Sequence, residues 1–304
     1  MAMLDVAGRL RTSVAIEDYQ AATELARAGA AQRSQANAVA VIPVIGSIEQ
    51  RASIWTWLFG GSSVEQISAD LKAAMADPNV KGILLEFDSP GGTVAGVPEL
   101  ARQIRAARGT KPILAHANAE AASAAYYLAS QADEVSVTPS GQVGSIGVVY
   151  LHTDMTGAAD QQGVKFSIFR SQDRKADVNP YEPLTAAAAE DIQAKVDAYD
   201  AMFVRDVARG RGITSDQVRK DFGAGRMFMA ADALAAGMVD RVETFDEAVA
   251  RLAGGKVANR QAAQASEELE VAPVEPVPDE VIRARAARLA EIAFPTKEPV
   301  GGTA

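Results

Sequence analysis

Ser123 lies in the segment AEAASAAYYLAS, residues 119–130, where alanines surround one hydroxyl group and leave room for another chain to lie across it. The segment follows a predicted strand and begins a predicted helix, so Ser123 is expected at the first turn of that helix. Free N–H groups and the positive end of the helix dipole stabilise a developing anion at such a position. These properties suit a serine nucleophile, but they also suit an ordinary helix N-cap.

A second stretch, FDSPGG at residues 87–92, ends a predicted buried strand in a turn with two glycines before a helix. Glycine allows the backbone to approach a ligand closely and to direct its N–H groups at it. We expect the N–H groups of Gly92 and Ala124 to converge on one carbonyl oxygen as an oxyanion hole, where each donor contributes about 3–4 kcal/mol in the transition state. The sequence has no GxGxxG and no GxxxxGK[ST] motif, so it does not predict a phosphate-binding loop.

A serine nucleophile needs a general base, and the residues alone leave a histidine and a lysine open. His152 follows a predicted strand, whereas His116 lies within an apolar strand and is expected in the core. Lys165 alternates with apolar residues and is expected on the outer side of a strand, and Lys175 lies in the charged loop RSQDRKADVNPYEPLT. A lysine that is buried and desolvated can lose its charge and accept the proton of a serine.

The elements that must position these residues alternate along the chain. Apolar and β-branched runs predict strands at residues 39–48, 80–89, 111–117, 133–139, 145–152 and 165–169. Helical spacing predicts helices at 64–75, about 94–108, after Ser123, at about 185–209, and from Thr214, where Gln217 completes a capping box. Strands that alternate with helices of this length predict an α/β fold, with a core of parallel β-strands joined by crossover helices.

The chain is predicted to have three parts. Residues 1–37 form an N-terminal helical segment, residues 38–254 form the compact domain, and residues 255–304 form a Pro/Glu/Ala-rich disordered tail with too few large apolar groups to fold. Within the tail, residues 279–293 are compatible with a short helix. The apolar segment IWTWLFGG, residues 54–61, is expected to be a flap or a subunit contact.

Composition excludes several classes of function. With 39 acidic and 30 basic residues the net charge is −9, which does not favour nucleic acid or an anionic membrane as a partner, so protein partners are expected. The absence of cysteine excludes disulfides and thiolate metal sites, and two histidines exclude a histidine-rich metal site, so neither metal nor cofactor is predicted. Charged residues interrupt the N-terminus, so neither a signal peptide nor a membrane span is expected.

Taken together, the ordered motifs resemble those of the signal-peptide-peptidase-A-like serine proteases, which share the crotonase and Clp-protease type of fold. The resemblance is strongest to the phage branch, the head maturation (prohead) proteases. It covers about residues 38–245 and is carried by the segments VIPVIGSI, DPNVKGILLEFDSPGG, AEAASAAYYLAS, GSIGVV, KADVNPYEPLT and GRMFMAADALAAGMVD.

This resemblance implies a Ser-Lys dyad. The serine of the family matches Ser123 and its lysine matches Lys175, while Gly92 and Ala124 match the oxyanion-hole donors. Many cellular relatives carry glycines directly after the serine, whereas this chain has Ala124 and Ala125. The histidine of the Clp proteases has no counterpart, because alignment through GSIGV places Val148 there, which weakens the Ser-His alternative.

The resemblance further implies a serine endopeptidase of phage procapsid maturation, and the strand edges and the segment IWTWLFGG suggest that it is homo-oligomeric. It would be made in the host cytoplasm and act inside the assembling procapsid on scaffold, its own tail, and capsid or portal protein, without a cofactor. The tail at 255–304 would then begin a scaffolding region. Three alternatives remain: a non-catalytic assembly or scaffolding protein on a protease fold, a soluble host peptidase that degrades signal peptides, and a crotonase-type acyl-thioester enzyme.

Overall fold

A computed structural model of the protein describes residues 38–52 and 60–257. The predicted N-terminal helical segment at 1–37, most of the apolar segment 54–61, and the predicted tail from 258 onward, with its helix at 279–293, lie outside the described residues. Those three predictions, and the boundaries of the three parts, stay predictions.

Up to residue 137 the main strands and helices alternate along the chain as predicted, whereas several short elements beyond it were not predicted. In chain order they are β1 (Ala38–Ile45), β2 (Ser47–Glu49), β3 (Gly61–Ser63), α1 (Val64–Ala76), β4 (Val80–Ser89), α2 (Val97–Ala107), β5 (Ile113–Ala122), α3 (Ala124–Ala129), β6 (Glu134–Val137), β7 (Gln142–Gly144), α4 (Thr156–Gln161), α5 (Ala186–Arg211), α6 (Ser215–Asp221), β8 (Met227–Met229), α7 (Ala230–Ala235), β9 (Arg241–Val242) and α8 (Phe245–Ala253).

A seven-stranded sheet forms the centre of the fold, with β1, β4, β5, β6 and β9 side by side in that order and parallel. The far end of β5 also pairs with β7 in parallel, and β7 pairs with β8 antiparallel. Strands β2 and β3 form a separate parallel pair. The predicted α/β class with parallel strands and connecting helices is therefore confirmed.

Strand β4 contributes side chains to two hydrophobic clusters, one on each face of the sheet. On one face of the sheet, Ile83, Leu85 and Phe87 are fully buried in the main core, which is covered by helices α1, α2, α3 and part of α5. On the other face, Leu84 packs with Leu114 beneath α8. Burial on both faces explains why the sequence of β4 is a nearly continuous apolar run.

Two predicted strands are wrong, at 145–152 and 165–169, because neither segment forms a strand. The first turns away from the sheet directly after β7, where Ser145 adopts a φ of 54°. Its Val149 and Leu151 are 90% and 85% exposed, and Phe169 of the second segment is 96% exposed. Alternating apolar residues predict a half-buried strand only where a sheet is present to receive them.

The helices agree better with their predictions. Helix α5 extends from Ala186 to Arg211, and Gly212 closes it with a left-handed φ of 70°. The capping box of Thr214 and Gln217 begins α6 as predicted. Only the C-terminal half of α5 reaches the main core, through residues such as Phe203, whereas Tyr199 is 45% exposed.

His116, at the centre of β5, is fully buried, as predicted for a core histidine. Its Nδ1 lies 2.9 Å from Ser136 Oγ, and Phe245 packs its ring 5.9 Å away. Burial lowers the pKa of His116, although the nearby Glu243 carboxylate opposes the shift and Arg251 adds to it. The folded protein therefore holds this imidazole neutral.

We expect the protein to lose stability as the pH falls below about 6.5, because the unfolded chain then binds a proton at His116 that the folded chain refuses. The loss should appear between about pH 7.5 and about pH 5.5, the range in which the imidazole of the unfolded chain gains its proton. It is measured by urea unfolding at both pH values. His116→Asn should flatten this dependence, since an amide can still bond Ser136 but cannot titrate, whereas His152→Asn should retain it. An unchanged slope in His116→Asn would contradict a neutral buried imidazole.

Candidate active site

Ser123 occupies the turn between β5 and α3, at the C-terminal edge of the parallel sheet. Its N–H donates to the carbonyl of Gly144 at 2.8 Å, and its own carbonyl accepts from the N–H of Tyr127 at 2.9 Å. The backbone is held at φ 51° and ψ −121°, a conformation that residues with a side chain rarely adopt. Such strain costs on the order of 1–3 kcal/mol and is concentrated at functional sites. The half-buried Ser123 side chain is thereby presented at the surface of a pocket.

The Gly91–Gly92 turn, which follows β4, packs directly against Ser123. A Cβ atom on Gly91 would lie 2.7 Å from Ser123 Cβ, and one on Gly92 would lie 1.9 Å from the carbonyl oxygen of Ile48. A side chain at position 91 would push the glycine turn away from Ser123, and one at position 92 would push it away from Ile48, so glycine is required at both.

Gly92 is joined to Ile48 by an isolated parallel bridge. In this bridge the N–H of Ile48 donates to Gly91 O at 2.8 Å, and the N–H of Thr93 donates to Ile48 O at 2.9 Å. Successive backbone groups of an extended chain point to opposite sides. The N–H of Gly92 therefore points away from β2, toward the side on which Ser123 lies.

A cavity of about 320 Å³ lies over these two turns. Among the described residues, its walls carry hydrophobic side chains and no charged side chain. They come from the glycine turn, α2, α3, the segment after β7, and α5. The lining residues are Gly92, Thr93, Val94, Val97, Pro98, Ser123, Ala124, Tyr127, Ser145, Gly147, Val148, Val149, Tyr199, Met202, Phe203 and Gly225. The shape and lining suit an uncharged segment of polypeptide.

Three of the predicted site residues, Ser123, Gly92 and Ala124, meet in this cavity, and Lys175 does not. Lys175 is exposed, and its N–H donates to Gln172 O within its own loop.

The position of the lysine loop along α5 explains this separation. Arg174, next to Lys175, forms an ion pair with Asp191 in the first turns of α5. The cavity is reached by α5 only from Tyr199 onward, about 12 Å further along the helix axis. Within one chain, the lysine loop thus lies beside the first turns of α5, whereas the cavity with the serine lies beside the middle of the helix.

The other predicted candidates for the base also lie elsewhere. His152 is partly exposed and its Nε2 lies 3.3 Å from Asn179 O, and it is not among the residues that line the cavity. Lys165 is exposed, in a segment that is not a strand. The Ser-His alternative therefore gains no support from the described residues.

Sequence reasoning missed the side chains that fix the wall of the cavity. The Tyr127 ring stacks on Phe203 with centroids 4.6 Å apart, and its hydroxyl donates to the buried carboxylate of Asp206. Burial, together with this hydrogen bond, raises the pKa of Tyr127, so the phenol stays neutral. Tyr127 lies one helical turn after Ser123, a spacing that signals a shared face, but its partners on α5 are 76 and 79 residues away in the sequence.

Within residues 38–52 and 60–257, His, Asp and Glu side chains do not gather in any group of three that could hold a metal ion. Within the same ranges, none of the helices has an apolar stretch of the length that a bilayer requires.

Comparison with known proteins identifies relatives of this chain. The model of peptidase family S49 matches residues 105–259. The head-tail preconnector protein GP5 of Enterobacteria phage P21 is 36% identical over 217 residues, which are 71% of this chain and 43% of the relative. Capsid assembly protease C of Escherichia phage lambda is 35% identical over 232 residues, or 73% and 52% of the two chains. Protease 4 of Salmonella typhi is 29% identical over 195 residues, or 64% and 31%.

The chain thus spans about half the length of the phage relatives that it matches. Among solved structures, a mutant of the 1510-N membrane-bound stomatin-specific protease aligns with a TM-score of 0.46 and 15% sequence identity. That alignment covers 72% of this chain and 86% of the other.

Gly92→Ala should lower the free energy of unfolding by about 1–3 kcal/mol, because the added methyl group must displace the Ile48 backbone or the glycine turn. Gly157→Ala is the matched control, since a Cβ there meets no atom within 4 Å, and it should leave stability unchanged or slightly raised. Urea unfolding of both variants measures the difference. Equal stability of the two would contradict the close contact at Gly92.

Proposed function

Since this chain belongs to peptidase family S49, we propose that it is a serine endopeptidase of phage procapsid maturation with Ser123 as its nucleophile. The observation that carries the proposal is the placement of Ser123, in a strained strand-to-helix turn, against the glycine turn and over an uncharged cavity. The names of the phage relatives, a capsid assembly protease and a head-tail preconnector protein, support the setting. The proposed substrates are scaffold protein, the chain's own tail, and capsid or portal protein, inside the assembling procapsid of the host cytoplasm.

In the proposed reaction, the substrate lies in the cavity and Ser123 Oγ attacks the scissile carbonyl carbon. The carbonyl oxygen becomes an oxyanion held by the N–H groups of Gly92 and Ala124. The neutral amine of Lys175 accepts the hydroxyl proton and then delivers it to the leaving amine, which departs and leaves an acyl-enzyme. Water, activated by the same lysine, hydrolyses the ester and restores Ser123.

The lysine must leave bulk water for this role, because an ammonium group in water stays protonated at neutral pH. We propose that Lys175 reaches the cavity of a second copy of the chain. Lys175 belongs to a stretch, residues 149–187, in which no residue is buried although several are large and apolar. A stretch with this composition is expected to be covered by another protein surface.

That stretch is folded rather than extended, and this favours its use as a preformed arm. The N–H of Met155 donates to Pro180 O at 2.8 Å, and the rings of Phe166 and Tyr181 lie 4.2 Å apart. Val149, at the base of the arm, is also part of the cavity wall. A neighbouring copy that covers the exposed apolar residues would therefore lie at the rim of the cavity.

Ser123→Ala and Lys175→Ala should each abolish proteolysis, with a loss of at least about 10⁴-fold in kcat, as for removal of either member of a coupled nucleophile and base. Cleavage of the chain's own tail, followed by electrophoresis and mass spectrometry, provides the measurement. Lys165→Ala removes another exposed lysine of the same arm and is expected to retain activity. Processing that persists in both site variants would exclude the dyad and favour a non-catalytic assembly protein.

An equimolar mixture of the two inactive variants distinguishes a shared site from an internal one. If Lys175 acts on the neighbouring copy, about a quarter of the sites in a randomly mixed assembly combine an intact serine with an intact lysine, because each is present with probability one half. The mixture should then recover about a quarter of the wild-type rate after dissociation and reassembly. Mixed assemblies that remain inactive would contradict the shared site.

A further inference from the structure

Ser89, the last residue of β4, is a fully buried hydroxyl for which the proposed reaction has no use. Its Oγ donates to the carbonyl oxygen of Gly46 at 2.6 Å and accepts from the N–H of Gly91 at 3.1 Å. One hydroxyl thus joins the turn after β1 to the glycine turn after β4.

Both of these turns support Gly92. The turn at Gly46 leads into β2, whose Ile48 pairs on both sides of Gly92 through Gly91 O and Thr93 N–H. The second turn carries Gly92 itself. Because Ser89 bonds to Gly46 on one side and to Gly91 on the other, it sets the spacing between the two backbone segments that hold Gly92.

The available space makes this spacing critical. A Cβ atom on Gly91 would overlap Ser123 Cβ, and one on Gly92 would overlap Ile48 O, so there is no room for a side chain at either position. A small rotation of the turn therefore changes the direction of the Gly92 N–H relative to Ser123. A donor in an oxyanion hole is effective only within a narrow range of positions.

We propose that Ser89 is a positioning residue, which acts through the Gly91 N–H and the Gly46 carbonyl to aim the Gly92 N–H at the oxyanion. This inference rests on the proposed function, because it takes Ser123 as the nucleophile. Loss of the Ser89 hydroxyl removes one partner from each of two backbone groups, and the glycine turn relaxes toward other partners. The chemical step is then slowed, while the cavity that binds the substrate is unchanged.

The test uses a fluorophosphonate probe, so it does not require a known substrate. Ser123 Oγ forms a bond to phosphorus, the P–F bond breaks, fluoride leaves, and the hydroxyl proton passes to the general base. The phosphonyl oxygen occupies the place of the oxyanion. The concentration dependence of labelling separates the limiting rate, kinact, from the half-saturating concentration, KI, and mass spectrometry identifies the labelled residue.

Ser89→Ala should lower kinact by about 10- to 100-fold and leave KI within about twofold. The reason is that misdirecting an oxyanion donor costs part of the rate that is lost when the donor is removed altogether. Ser89→Thr retains the hydroxyl and should recover most of the rate. Should Ser89→Ala fail to fold, Ser89→Cys carries the test, because a thiol is a weak donor and should lower kinact to an intermediate value.

Ser62→Ala is the matched control. The Ser62 hydroxyl also bridges the end of β1, through Ile45 N at 2.8 Å and Ile45 O at 3.0 Å, but it does not bond to the glycine turn. Its kinact should equal that of the wild type.

Two different failures can be told apart. Two outcomes would overturn the role of Ser89 and leave the proposed nucleophile standing. One is a folded Ser89→Ala whose kinact stays within about twofold of the wild type, and the other is a folded Ser89→Thr that is as slow as Ser89→Ala. Assembled wild-type protein that is not labelled at Ser123 would overturn the proposed nucleophile, and the inference about Ser89 with it.

Discussion

The contact between two backbone turns, Gly91–Gly92 and Ser123–Ala124, is the constraint on which the rest of the site depends. It arises because β4 and β5 are adjacent and parallel, with Ser89 and Ala121 paired at the same edge of the sheet. Gly91 permits this contact, because a Cβ atom there would overlap Ser123 Cβ, and Gly92 permits the equally close approach of Ile48. The polar groups that the described residues bring to the site are backbone groups and hydroxyls.

An uncharged cavity has a consequence for the proposed chemistry. Backbone donors stabilise an oxyanion without titrating, so they serve at any pH at which the fold persists. Proton transfer, however, needs a titratable group, and the described residues of one chain bring no charged side chain to the cavity wall. A lysine that arrives only on assembly would meet this need, and it would confine proteolysis to the assembled state. For an enzyme proposed to act inside a procapsid, this would protect proteins outside it.

The arm at residues 149–187 has a different physical character from the domain that carries it. It has its own hydrogen bonds and ring contacts, but it buries no residue against the sheet. Apart from the buried Ala188, the N-terminal half of α5 is also at least partly exposed, whereas the C-terminal half contributes Phe203 and Val207 to the core. One long helix therefore connects a well-packed interior to a surface that is suited to a partner.

Much of the fold could be predicted because local patterns and tertiary packing agree. The run at 80–89 became β4 with the predicted bounds, since a strand buried on both faces is apolar at nearly every position. The segment around Ser123 indicated the candidate nucleophile, because small residues and a helix start are local features. The segments 145–152 and 165–169 failed because an alternating apolar pattern indicates a surface to be covered, and it does not say whether the cover is a sheet of the same chain.

From the sequence by itself came the order of the main strands and helices up to β6, the glycine turn, the serine at a helix start, and the absence of cysteine. Each of these depends on composition or on residues near one another in the chain. Only the tertiary structure decided that Gly92 meets Ile48, that Tyr127 binds Asp206, that Ser89 joins two turns, and that the Lys175 loop stands away from Ser123. The physical reason is that these relations depend on the register of parallel strands and the direction of a 26-residue helix. Both are set by the packing of the whole core, and no short stretch of sequence contains that information.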